Sequence, residues 1–291
     1  MKRASFEAMD GVIWHNGKMV EWCEARLHVL SHSLHYGGAV FEGIRSYRGR
    51  MFKAHEHFER FLRSAELMQY RIPHSVQALE AATYAALEAN CLSGDAYIRP
   101  VAWRGADFIG IGSPNPQINV SIAAFAWNKP HTPEKRENGV RLAISEWRRA
   151  PAGVFPPQAK SSANYAIGTM SWNSAVARGF DDAMLLDTDG NIAESTGANI
   201  FFVLDGALHT PAADCFLAGI TRETVLKIAE SLGIRIVIGK VTVAEALGAD
   251  EAFLCGTAYE VLPVAAIEDR CYASGPITQR IRAAYQRIVD A

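Results

Sequence analysis

One stretch of the chain limits its folding more than any other: Asn128-Lys129-Pro130-His131-Thr132-Pro133-Glu134-Lys135-Arg136-Glu137-Asn138. Two prolines and five charged residues stand there between two apolar runs, SIAAFAW at 121–127 and VRLAIS at 140–145. Proline has no amide hydrogen to give a sheet, so neither run continues through the segment as a strand. The segment reads as an exposed linker over 128–138. It separates a small N-terminal α/β domain at 1–127 from a larger domain at 139–291. Pockets gather where domains meet, so residues flanking the break carry extra weight.

The first domain opens on a hairpin, Ile13-Trp14-His15 and Lys18-Met19-Val20, joined by the favoured turn dipeptide Asn16-Gly17. Residues 55–70 read as a helix with Phe58, Phe61, Leu62 and Ala65 on one face, and Ser75 can cap a second helix running to Ala89. Strands are expected over 97–103 and 119–127. The second domain alternates: a helix over 166–178 stopped by Gly179, then strands over 183–187 and 199–204, with turns at Asp189-Gly190 and Asp205-Gly206. A helix follows with Val225, Ile228, Ala229 and Leu232 inward, ended by Gly233, and Ile234, Ile236 and Ile238 alternate as a strand. Such a mixture is α/β or α+β.

Charge and cysteine usage exclude several classes. Lys and Arg number 29 against 31 Asp and Glu, a net charge of −2, so no basic surplus points to nucleic acid. The first thirty residues are punctuated by Lys2, Arg3, Glu7, Asp10, Lys18, Glu21, Glu24 and Arg26, so no secretory signal is expected. The longest uncharged stretch, 108–128, contains Pro114, Asn115, Pro116, Gln117 and Asn119 and is unsuited to a membrane. Five scattered cysteines, with no CxxC, read as reduced thiols of a cytoplasmic protein. A small-molecule enzyme is favoured.

The common motifs fail. Gly110-Ile111-Gly112-Ser113-Pro114-Asn115 lacks the third glycine of a dinucleotide fingerprint, and there is no GxxxxGK[ST] and no GxSxG. His55-Glu56-His57 puts its histidines two apart, on different helix faces, so no metal is expected. His32 and His35 read as hydrogen-bonded structural histidines.

Three segments of the second half carry chemistry together. In Gln158-Ala159-Lys160-Ser161-Ser162-Ala163, a lone lysine stands among small residues without a counter-charge. A partly desolvated lysine is a nucleophilic amine suited to Schiff-base chemistry. Glu194 lies between a turn and an apolar strand, where a carboxylate is costly without a partner such as a protonated ring nitrogen. Leu217-Ala218-Gly219-Ile220-Thr221-Arg222 opens a helix with exposed amides and a hydroxyl, a ready phosphate cradle. Gly256-Thr257-Ala258, after a strand over 251–255, supplies further amides and a hydroxyl. Amine, ring acid and phosphate cradle are the parts that hold pyridoxal phosphate.

At these residues the sequence resembles the fold-class-IV pyridoxal-phosphate aminotransferases, most closely the branched-chain amino acid aminotransferases. The resemblance runs through HYGGAVFEGIRSY (35–47), AYIRP (96–100), AKSSANY (159–165), NIAESTGANIFF (191–202), LAGITR (217–222) and GTAYEVLPV (256–264). It implies the two-domain fold of the D-amino acid aminotransferase type, an α/β fold with α+β character. It further implies Lys160 as the Schiff-base lysine and Glu194 on the pyridine nitrogen, with Tyr165 on the ring hydroxyl. Arg60, Ile220, Thr221 and Thr257 would hold the phosphate, with Leu217 against the ring. Tyr97 and the amides of Thr257 and Ala258 would take the α-carboxylate, and Arg99 the distal carboxylate of glutamate. Phe41, Gly43 and Trp127 would shape the apolar pocket, and Tyr36 and Ile111 would reach across a homodimer or higher homo-oligomer interface. The implied substrates are amino acids and 2-oxo acids, exchanged by a ping-pong mechanism. Where some bacterial relatives carry a pocket tyrosine, Trp127 is here followed by Asn128, Lys129 and Pro130, so the pocket edge is expected to differ. D-amino acid and (R)-amine transaminases, and aminodeoxychorismate lyase, share the class. The intact Tyr97-x-Arg99 and Gly256-Thr257-Ala258 favour L-branched-chain substrates. In that reading Arg99 is a buried cation that must tolerate an apolar substrate beside it.

Overall fold

Alternating apolar residues and tight turns build two sheets, each in its own unit of the chain. The computed structural model describes residues 5–112, 115–127 and 131–291. The first unit comprises Met1–Asn128 together with Ala159–Ala163, and the second Lys129–Gln158 together with Asn164–Ala291. The expected pocket edge at 128–130, with the start of the linker, lies outside the described residues. The described remainder of that linker contains a short helix, Pro133–Asn138, with Thr132 as its cap and Pro133 in its first turn. Proline suits that position, where its missing amide hydrogen has no partner to lose.

In the first unit the strands are β1 (Val12–His15), β2 (Lys18–Glu21), β3 (Val40–Phe41), β4 (Ile44–Tyr47), β5 (Arg50–Met51), β6 (Ala96–Arg104) and β7 (Ile118–Ala126). They form one sheet in the order β2-β1-β7-β6-β4-β5, with β3 also on β6. The helices are α1 (His32–Tyr36), α2 (Ala54–Leu67) and α3 (Val76–Ala89). Phe58, Phe61 and Ala65 of α2 and Leu79, Ala82 and Ala86 of α3 are buried in one core with Ile98, Ala102, Val120 and Ile122 of the sheet. That packing takes the even-numbered positions of β6. Side chains alternate along a strand, so Tyr97 and Arg99 stand together on the opposite face.

The second unit holds α4 (Pro133–Asn138), β8 (Val140–Arg148), α5 (Ala163–Ala177), β9 (Asp182–Leu186), β10 (Ile192–Ser195), β11 (Asn199–Leu204), β12 (Ala207–Pro211) and α6 (Ile220–Ser231). It continues with β13 (Ile236–Gly239), α7 (Val243–Gly248), β14 (Glu251–Gly256), β15 (Glu260–Ile267), β16 (Arg270–Cys271) and α8 (Pro276–Asp290). The sheet runs β10-β9-β8-β15-β14-β11-β12-β13, with β16 on β15. The pairs β8–β9, β8–β15 and β12–β13 are parallel, and the others are antiparallel. Val140, Leu142, Met184, Ile200, Phe202, Leu254 and Leu262 share its core. The expected alternation at 234–238 holds only in part: Ile234 is buried ahead of β13, whereas Ile238, within it, is exposed. No described helix is long and apolar enough to cross a membrane.

Candidate active site

The lysine segment departs from the expected domain division. Ala159–Ala163 groups with the first unit, not with the second half of the chain that surrounds it in sequence. Backbone bonds hold it there: the Phe41 amide donates to the Lys160 carbonyl at 3.0 Å, and the Ser162 amide to the Ala39 carbonyl at 2.8 Å. The Lys160 amide donates to Ser64 Oγ at 3.0 Å. The hydroxyls of Ser161 and Ser162 both donate to the Gly37 carbonyl at 3.1 Å. Small residues are needed at this crossing, because a Cβ on Gly37 (φ +65°) would lie 3.1 Å from that of Ala163. Lys160 is half-buried, its Nζ 5.0 Å from the centre of the Phe41 ring.

Beside this segment, His57 and Arg60 are three residues apart on α2 and face the same carboxylate. Glu42, 0% exposed, accepts from Arg60 Nε at 2.7 Å and Nη2 at 2.9 Å, and from His57 Nδ1 at 2.7 Å. Burial alone would raise the Glu42 carboxyl; the Arg60 guanidinium and the hydrogen bonds of both partners outweigh it and hold Glu42 well below the usual carboxylate range. Burial lowers the His57 imidazole despite the pull of Glu42. Because the Glu42 carboxylate can only accept, His57 donates to it through Nδ1.

The outer face of β6 carries an aromatic wall. The Tyr97 ring stacks on Trp127 with centroids 4.6 Å apart, and Arg99 Nη2 donates to Tyr97 Oη at 3.0 Å. The Arg99 guanidinium lies 4.9 Å from the Phe41 ring centre. Arg99 is exposed, which corrects the expectation of a buried cation. On its outward sheet face, solvent and the Tyr97 hydroxyl satisfy the charge, so an apolar neighbour costs it little. An open cavity of about 770 Å³ on this unit is lined by Arg26, Arg99, Trp22 and Phe125. Gly43 completes the wall, since a Cβ there would come 2.1 Å from Tyr97 Oη. Gly43→Ala is therefore expected to displace the tyrosine and cost ~1–3 kcal/mol of overpacking. A urea melt checks this; an unchanged midpoint would show that Tyr97 has room to move.

The second unit supplies an acid and an anion cradle. Glu194 follows a bulge in the β9–β10 pairing. Its Oε1 meets Arg149 Nη2 at 2.9 Å, with both side chains under 10% exposed (9% and 8%). Arg149 is itself anchored, donating from Nη1 to the Asn164 carbonyl at 2.7 Å. Asn199, buried at the start of β11, donates to Glu194 Oε2 at 3.3 Å and to the Leu217 carbonyl at 3.0 Å. It also accepts from the Gly219 amide at 3.1 Å. A Cβ on Gly219 would lie 2.3 Å from Asn199 Oδ1, so this approach requires glycine. Gln158 clamps the same loop, accepting from the Ala218 amide and donating to the Ala213 and Phe216 carbonyls. Gly219 caps α6, whose first turn carries Ile220 and the buried Thr221. A helix of twelve residues presents its partial positive charge and unpaired amides at this end. Thr257 and Ala258 form the tight turn between β14 and β15, and Tyr165 is the third residue of α5.

Thus Arg60, Lys160, Phe41, Gly43, Tyr97, Arg99, Trp127, Tyr36 and Ile111 stand on the first unit. Tyr165, Glu194, Leu217, Ile220, Thr221, Thr257 and Ala258 stand on the second. Sequence reasoning missed Glu42, His57, Arg149 and Asn199. The signal for Glu42 was a single charge inside the apolar run AVFEGI, and for Arg149 a cation at a strand end just before Pro151. His57 was weighed only as half of a His-x-His metal pair, and nothing marked Asn199, which read as an ordinary polar residue of its strand.

Comparison with known proteins agrees with this architecture. The model of the amino-transferase class IV family matches residues 39–267. The chain belongs to that family, and its fold is that of fold-type-IV transaminases. Over nearly its whole length it is similar to enzymes named for branched-chain amino acids. It is 40% identical over 288 residues to the probable branched-chain-amino-acid aminotransferase of Rickettsia felis, covering 97% of this chain and 98% of that one. The branched-chain aminotransferase of Thermoproteus uzoniensis, solved with norvaline, superposes with a TM-score of 0.92 at 40% identity, over 97% of this chain and 95% of that one. The branched-chain amino acid aminotransferase of Thermobaculum terrenum, solved in its PLP form, gives 0.88 at 31% identity, over 97% and 94% of the two chains.

Proposed function

We propose that this transaminase moves the amino group of leucine, isoleucine or valine to 2-oxoglutarate, with pyridoxal phosphate as its cofactor. Asn199 carries the reading. One buried side chain bonds both the Glu194 carboxylate and the Leu217–Gly219 loop, fixing a ring acid relative to an anion cradle. The residues present fit the cofactor. Glu194 is an acid whose charge is backed by Arg149, and Gly219 lets Asn199 reach the cradle's backbone where a Cβ would collide with it.

When bound, the cofactor supplies an electron sink for the carbon that loses its α-proton. Glu194 would keep the ring nitrogen protonated, Tyr165 would bond the ring hydroxyl, and Leu217 would lie against the ring. Arg60, Thr221, Thr257 and the Ile220 amide would hold its phosphate. Lys160 Nζ would hold the cofactor between turnovers and move the proton at the substrate α-carbon during them. Tyr97 and the amides of Thr257 and Ala258 orient the α-carboxylate, while Phe41, Gly43 and Trp127 bound the apolar side chain. Two half-reactions run through the same residues in opposite directions, giving ping-pong kinetics. Tyr36 (47% exposed) and Ile111 (82%) leave apolar side chains at the surface, as do Leu27, Val29, Leu34 and Phe108. A bond from His32 Nε2 to the Ile111 carbonyl at 2.9 Å ties the Tyr36 and Ile111 segments together. That surface suits a homodimer in which the two residues reach the partner's site.

A spectral half-reaction assay tests the assignment: the cofactor's visible band should bleach with L-leucine and with L-glutamate. Bleaching by D-alanine or (R)-1-phenylethylamine, but not by L-leucine, would overturn it. Arg99→Ala should slow the glutamate half-reaction about thirtyfold, for the ~2 kcal/mol of a hydrogen bond to a charged group. The leucine half-reaction should change little. Equal losses in both single-turnover rates would remove Arg99 from distal-carboxylate recognition.

A further inference from the structure

We propose that Glu42 and His57 are positioning residues for Arg60, and that their hold on it sets the protein's preference for a phosphorylated over an unphosphorylated pyridoxal. The inference rests on the reading of Arg60 as a phosphate ligand.

A guanidinium is a rigid plane of five N–H donors. Glu42 takes Nε and Nη2 side-on, at 2.7 and 2.9 Å, and so fixes the direction of the whole plane. An arginine held in this way has already lost the rotamer freedom that a solvated one gives up on gripping an anion. Glu42 is itself immobile: Oε2 also accepts from His57 Nδ1 at 2.7 Å and from the Gly43 amide at 3.2 Å. Four donors on two oxygens saturate the carboxylate, and glutamine cannot replace it. The amide nitrogen of Gln would have to face a donor, either on Arg60 or on His57.

The same frame carries the lysine. Glu42 directly follows Phe41, whose amide bonds the Lys160 carbonyl, and Ser64, one turn beyond Arg60 on α2, bonds the Lys160 amide. The amine and the phosphate cation are therefore spaced by one rigid unit of the chain. Glu42 and His57 are buried, at 0% and 2% exposure, and act through Arg60.

The test is the affinity of cofactor-stripped protein for pyridoxal phosphate and for pyridoxal, followed by fluorescence titration. Glu42→Gln should weaken pyridoxal phosphate about tenfold or more, roughly the contribution of one charge-assisted hydrogen bond. Pyridoxal binding should shift less than about threefold. His57→Asn, which keeps a donor near the Nδ1 position, should retain most of the preference, and His57→Leu should lose it. Once Arg60→Ala has removed the guanidinium, adding Glu42→Gln should change the preference no further, because Glu42 acts only through Arg60. Equal weakening of both ligands by Glu42→Gln, or an unchanged preference, overturns the inference. Should that variant not fold, the two His57 variants decide on the same scale. If Arg60→Ala itself leaves the preference intact, the phosphate reading of Arg60 fails instead.

Discussion

Lys160→Ala is expected to slow the L-leucine half-reaction by at least about a thousandfold while leaving the fold intact. Moving a proton with a placed base contributes roughly 10²–10⁴ to a rate, and here the same amine also anchors the cofactor. The fold should survive because the segment is held by its backbone. Its amide and carbonyl bond Ser64 and Phe41 whatever the side chain. The side chain's contact with the Phe41 ring contributes only about 0.5–1 kcal/mol. Borohydride reduction provides a second measurement: in the parent protein it should fix the cofactor to the peptide carrying Lys160, and in Lys160→Ala to none. Cofactor fixed to any other lysine would refute the assignment.

Glu194→Ala should have the other large effect, on stability and chemistry together. Removing the carboxylate leaves the Arg149 guanidinium buried without its counter-charge, which costs about 3–5 kcal/mol. The rate should fall about 10²-fold or more, as when a preorganised charge is taken from a reacting site. A paired change separates the two effects. Glu194→Leu with Arg149→Met removes both charges and should recover most of the stability in a urea melt, since a well-packed apolar pair can replace a buried ion pair. It should recover none of the rate. Recovery of both would show that Glu194 serves only the fold.

The elements of the site were legible wherever local chemistry decided them. Ser75 caps α3 as its side chain dictates, accepting from the Ala78 amide. The Gly179 and Gly233 stops follow from positive φ angles that side chains resist (82° and 68°). Lys160 stood out because nothing around it in sequence needed a lysine, and Tyr97 and Arg99 entered with the family resemblance, whose Tyr-x-Arg spacing puts them on one strand face. Illegible was everything set by residues far apart in the chain. Apart from the resemblance, nothing near Arg60 in sequence set it apart; its partner Glu42 lies eighteen residues earlier. Glu194 was expected to wait for a ring nitrogen alone, yet Arg149, forty-five residues away, already faces it.

The break at 128–138 shows the same division. Its prolines and charges end one apolar strand before the next begins, and that much follows from backbone chemistry alone. Which unit each later segment joins does not. Ala159–Ala163 lies on the far side of the break in sequence, yet its hydrogen bonds go to residues 37–41 and 64. Local propensity, caps and motif spacing are properties of neighbours and can be read from the sequence. Ladder pairing and the partners of buried charges depend on contacts that only the folded chain brings together.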